Sequence, residues 1–96
     1  MFIFLLKYTK GLEAIDKFIT EHAAFLDKYY AKGNFICSGR RTPRTGGVII
    51  CKAGSFEEAK KIADEDPFTI NEIAEYEIIE FQPSKYVDEI KSFVVK

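Results

Sequence analysis

The stretch LEAIDKFITEHAAFLDKYYAKG, from Leu12 to Gly33, decides how this chain is read. Its apolar residues Ile15, Phe18, Ile19, Leu26 and Tyr29 recur at three-and-four spacing, which predicts one long helix with a buried stripe. Gly33 suits a left-handed C-terminal cap, and Lys28 and Lys32 suit the negative end of the helix dipole. His22 falls on the same stripe, between Phe18 and Leu26, and it is the only histidine in the sequence. Burying an imidazole costs free energy unless both ring nitrogens find partners. Two readings follow: a core histidine tied to a backbone carbonyl, or a working group.

Working outward, Phe2–Tyr8 reads as a strand with apolar residues on both faces, so both faces expect cover. After the helix, Asn34–Gly39 reads as a second strand. The stretch Gly39-Arg40-Arg41-Thr42-Pro43-Arg44-Thr45-Gly46-Gly47 is a loop by its glycine and proline content. Val48–Lys52 is a third strand, and the pair forms a hairpin with a basic tip. Ser55-Phe56-Glu57-Glu58 opens a second helix as a capping box, with Phe56, Ala59, Ile62 and Ala63 as its buried face. That helix should end near Glu65, because Asp66 precedes Pro67 and is pushed towards extended geometry. A connector over Phe68–Ile73 leads to a fourth strand, Ala74–Gln82. Beyond Pro83, residues Tyr86, Val87, Ile90, Phe93 and Val94 have helical spacing in a tail that runs to Lys96.

Strand, helix, strand, strand, helix, strand is the split βαβ pattern. It predicts an α+β ferredoxin-like plait: a four-stranded antiparallel sheet with two helices on one face, plus a C-terminal helical tail. The 96 residues make one domain, with a core over 1–82 and the tail over 83–96. Two helices cover only one face of the sheet, so the other is expected to pack on a second copy, giving a homodimer. A net charge of -1 speaks against nucleic acid as an obligatory partner. No apolar run approaches a membrane span and no signal peptide is recognisable, so a cytoplasmic protein with no membrane partner is expected. Cys37 and Cys51 lack metal-ligand spacing and read as buried free thiols, with no metal and no cofactor indicated.

Asp64, Glu65 and Asp66 crowd the C-terminal end of the second helix, where the dipole disfavours negative charge. Local rules broken without visible compensation tend to mark functional sites. In a plait, His22 could approach Asp66, which would fix the imidazole tautomer and leave the other ring nitrogen free as a base. The plainer alternative leaves these acids solvated. Ser38 could donate to a substrate oxygen, or it is a strand serine on a solvated edge. Arg40, Arg41 and Arg44 could clamp a carboxylate by guanidinium forks, or they form a solvated hairpin tip. Phe68 and Tyr8 read as pocket wall or core.

The chain resembles the YciI-like, or YCII-related, proteins. The residues that carry the resemblance are His22, Gly33, Ser38-Gly39, Gly47, Ser55-Phe56-Glu57-Glu58-Ala59 and Asp66-Pro67-Phe68, in that order along nearly the whole chain. The resemblance implies a dimeric ferredoxin-like plait similar to muconolactone isomerase-type proteins, some members being dehydrochlorinases. It also implies a His–Asp site at His22 and Asp66, with Ser38 close by. One departure is that Gly39 is followed by Arg40, where the family often has proline. The resulting expectation is a small-molecule enzyme moving a proton on a small organic acid or lactone, as an isomerase or a dehydrochlorinase-type lyase. The alternative is a non-catalytic dimeric module that binds a small anion or a protein partner.

Overall fold

In the computed structural model, which describes residues 1–94, the chain forms a four-stranded antiparallel sheet with helices packed on one face. The strands are β1 (Phe2–Tyr8), β2 (Phe35–Arg40), β3 (Gly46–Cys51) and β4 (Ala74–Glu80), in the order β2-β3-β1-β4. The helices are α1 (Leu12–Lys17), α2 (Ile19–Ala31), α3 (Phe56–Asp64) and a single turn, α4 (Pro67–Ile70). This is the ferredoxin-like plait that the alternation of elements predicts.

Register explains which residues meet the helices. Phe4 lies opposite Ile49 on one side and Ile78 on the other, and Leu6 lies opposite Gly47 and Tyr76. These positions, with Phe2 and Cys51, look onto α2 and α3. Because side chains alternate along a strand, Ile3, Leu5, Val48, Ile50 and Ile79 share the opposite face. An aromatic cluster fills the helix side. Phe4, Phe25, Phe35 and Tyr29 interlock there at centroid distances of 5.4–6.2 Å, mostly edge to face.

The long helix is not continuous. It breaks at Phe18 (φ -110°, ψ 12°), whose amide donates to Ile15 O in a tighter turn before α2 resumes. No proline or glycine marks this point, so hydrophobic spacing alone runs straight through it. The break turns the second half. Ile15, Phe25 and Tyr29 enter the core, while Ile19 is left 42% exposed. Gly33 takes the left-handed conformation expected of it (φ 83°), just past the end of α2.

Ser55 caps α3 through a bond from the Glu58 amide at 3.1 Å, and the Glu58 carboxylate returns to the Gly54 amide at 2.7 Å. Phe56, expected on the buried face, is exposed and meets only the edge of the core at Phe2. Cys51 is buried as expected, but Cys37 lies exposed on β2, and both are free thiols. Both hairpin strands reach further than their composition suggests, so the connecting loop shrinks to residues 41–45. Over its described residues the tail forms a 3-10 turn, Asp88–Ile90, and a short helix, α5 (Lys91–Val94), with Val87 exposed. The last two residues of the expected tail helix lie outside the described residues. No helix among the described residues is long and apolar enough to cross a membrane.

Candidate active site

Pro67 shapes the site. It holds Asp66 extended (φ -63°, ψ 126°) and then starts α4, so the Asp66 carboxylate turns inward as the cap of that turn. Asp66 is fully buried. Its Oδ1 accepts from the Phe68 amide at 2.9 Å and from His22 Nδ1 at 2.9 Å, and its Oδ2 accepts from the Tyr76 hydroxyl. A buried carboxylate is tolerable only when donors surround it, and here there are three.

His22 is thereby fixed. Its ring stacks flat on Phe68, with centroids 4.1 Å apart and planes 4° from parallel. Nδ1 spends its proton on Asp66, so Nε2 is left with a free lone pair in the tautomer that this network sets. The ring lines a cavity of about 510 Å³ between α1–α2 and the β2–β3 hairpin. Apolar walls come from Leu6, Ile19, Leu26, Ile49 and Phe68, and polar groups from Tyr8, Asp16, Ser38, Arg40 and Arg44.

Of the residues singled out in the sequence, His22 and Asp66 are in direct contact, and Ser38, Arg40, Arg44 and Phe68 line the same cavity. Arg41 is not brought there. It is exposed, and its amide closes the hairpin by donating to Gly46 O at 2.9 Å. Arg44 is committed too: Nη2 bonds Asp16 Oδ1 at 2.5 Å, which raises the guanidinium further above its ordinary value. Ser38 Oγ shares a hydrogen bond of 2.7 Å with the Tyr30 hydroxyl.

The three consecutive acids have separate fates. Asp64 pairs with Lys60 one turn back at 3.0 Å. Glu65 accepts from Lys28 at 2.8 Å and from Tyr29 at 2.6 Å, which hold its carboxyl below the usual range. Only Asp66 reaches His22. Sequence reasoning missed Tyr76, whose one signal is its place among apolar residues on the helix-facing side of β4. Among the described residues no cluster of three or more His, Cys, Asp or Glu side chains could hold a metal ion.

Residues 1–82 match the YCII-related domain. This chain belongs to the YCII-related family. Comparison of this YCII-related chain with curated proteins finds no match. Among solved structures it is similar to 5-chloro-2-hydroxyhydroquinone dehydrochlorinase from Burkholderia phenoliruptrix, in a complex with 2,5-dihydroxybenzoquinone. The two superpose with a TM-score of 0.70 at 18% identity, over 84% of this chain and 93% of that one. At that identity the likeness is one of fold, and it agrees with the plait described above.

Proposed function

We propose that this YCII-related protein is a small-molecule enzyme in which His22, oriented by Asp66, takes a proton from an acidic O–H or C–H of a small organic substrate. One observation carries the reading: His22 Nδ1 lies 2.9 Å from a fully buried carboxylate while the same ring lines an accessible cavity. An imidazole whose one nitrogen donates to a carboxylate can take a proton at the other, which is the role of a general base. The proton goes to Nε2. The electron pair it leaves either is reprotonated elsewhere, which is an isomerisation, or expels a leaving group such as chloride, which is an elimination. The Asp66 carboxylate stabilises the imidazolium formed in between. The apolar walls suit a ring or short acyl chain, and Arg40 with the Ser38–Tyr30 pair suits its oxygen substituents. The fold neighbour, named as a dehydrochlorinase of a chlorinated hydroxyhydroquinone, directs the first assays towards chlorinated phenols, with small lactones and unsaturated acids beside them.

The test is turnover of that panel by the wild-type protein and by His22→Ala and Asp66→Asn. A general base of this kind contributes on the order of 10²–10⁴-fold, and losses of that size are expected in both variants. Undiminished turnover in both would end the proposal. Binding of small carboxylates without any conversion would favour the second reading, a non-catalytic anion-binding module that uses the same cavity.

We also propose that the uncovered sheet face, with Ile3, Leu5, Val48, Ile50 and Ile79, packs on a second copy in the cytoplasm. A monomer by sedimentation at micromolar concentration would contradict the homodimer.

A further inference from the structure

The proton-transfer reading uses one of the three groups that hold the Asp66 carboxylate. Tyr76 is another. It comes from β4, opposite Leu6 in register, and its ring meets Phe4 edge-on at 5.6 Å, so its hydroxyl has a fixed reach. That hydroxyl donates to Asp66 Oδ2, the oxygen that His22 does not use. Burial above all, and then the charge of Asp66, push the phenol well above the usual tyrosine range, so it remains a donor throughout the working pH range. A carboxylate that shares its charge with a donor on one oxygen offers less of it to a cation on the other.

We propose that Tyr76 is a positioning residue for His22: acting through Asp66, it locks the carboxylate orientation and holds down the basicity of the imidazole. The proposal rests on the reading of His22 as the working base, but its test does not need a substrate. Other titratable groups lie around the ring as well. Glu21 flanks it on α2, and Tyr8 of β1, Asp16 of α1, and Arg40 and Arg44 of the hairpin line the shared cavity. Asp16 and Arg44 offset each other in their ion pair. All of these stay the same between wild type and a Tyr76 variant, so they cancel in the comparison.

The experiment is an NMR titration of the imidazole, unambiguous because His22 is the only histidine. Tyr76→Phe removes the hydroxyl and keeps the ring against Phe4. Asp66 then bears its charge undiminished, the imidazolium is favoured, and the midpoint should move up by about 0.5–1 pH unit. Asp66→Asn should move it down. In the Asp66→Asn background, adding Tyr76→Phe should leave it where it was, because the route through the carboxylate is gone. Site-specific replacement of Tyr76 by a fluorinated tyrosine, a stronger donor of nearly the same size, should move the midpoint down, and it serves if Tyr76→Phe does not fold. An unmoved midpoint in the folded Tyr76→Phe protein, with only thermal stability lowered, would make Tyr76 merely structural and overturn the proposal. So would a downward shift in that variant, or an upward one with the fluorinated residue. Turnover is read separately, so an inert enzyme with the predicted shifts would reject the catalytic reading and leave the role of Tyr76 standing.

Discussion

Two neighbouring carboxylates tie the exit of α3 to the same helix, and they differ in almost everything else. Glu65 reaches Lys28 and Tyr29 near the end of α2 and is itself 44% exposed; Asp66 reaches His22 nearer its start and is fully buried. Glu65 meets a surface cation and the hydroxyl of a buried tyrosine, and an exposed ion pair of this kind contributes little. Asp66 meets three donors in a dry setting beside a cavity. One clasp fastens two helices. The other fastens them and fixes an imidazole ring beside a cavity.

The largest test of this contrast is Asp66→Ala. It strands the Phe68 amide, the Tyr76 hydroxyl and His22 Nδ1, and each buried donor without an acceptor costs about 1–3 kcal/mol. A loss of roughly 3 kcal/mol or more is expected in urea unfolding. A loss under about 1 kcal/mol would show that water reaches these groups and that the site is not dry.

At the other clasp, alkali should act first. Burial, then the bond to Glu65, raises the Tyr29 phenol from 10.0 to about 12, and burial raises the Cys51 thiol from 9.0 to about 12. Both groups are held neutral in the folded state, so their contribution is complete below the unfolded values. It is lost as pH rises through the window from about 9 to about 12. Unfolding midpoints measured from pH 8 to 11 should fall through that range, and a Cys51→Ala protein should begin to fall later. A flat profile would contradict the burial of both groups.

The smallest effect belongs to Glu65→Gln. Its carboxyl is held below 4.5, first by Lys28 and then by Tyr29, so its contribution is present above that pH and fades as pH falls below it. For a surface pair this is about 1 kcal/mol or less at pH 7. A loss as large as that of Asp66→Ala would erase the distinction between the two clasps.

What was legible in the sequence follows from the range over which each signal acts. The alternation of strands and helices, the Ser55 cap and the turn forced by Pro67 are local, and the structure repeats them. The family pattern set His22 and Asp66 side by side, and the coordinates place them in contact. The break at Phe18 has no local mark, so the exposure of Ile19 and the burial of Phe25 could not be read from spacing. Tyr76 lies ten residues beyond Asp66 and Tyr30 eight before Ser38, pairings that only the sheet and helix packing bring about. Arg41 shows the opposite case: three arginines in one stretch look alike as letters, but Arg40 ends β2 on the cavity side while Arg41 begins the loop and stays outside.

The measurement that bears most directly on the central claim is a long-range proton–nitrogen NMR spectrum of the His22 ring near neutral pH, with and without a small phenol or carboxylate. The account predicts a neutral ring protonated on Nδ1, with Nε2 bare and its resonance moving when ligand enters the cavity. A ring protonated on Nε2, or one whose nitrogen signals ignore every ligand that binds, would contradict it.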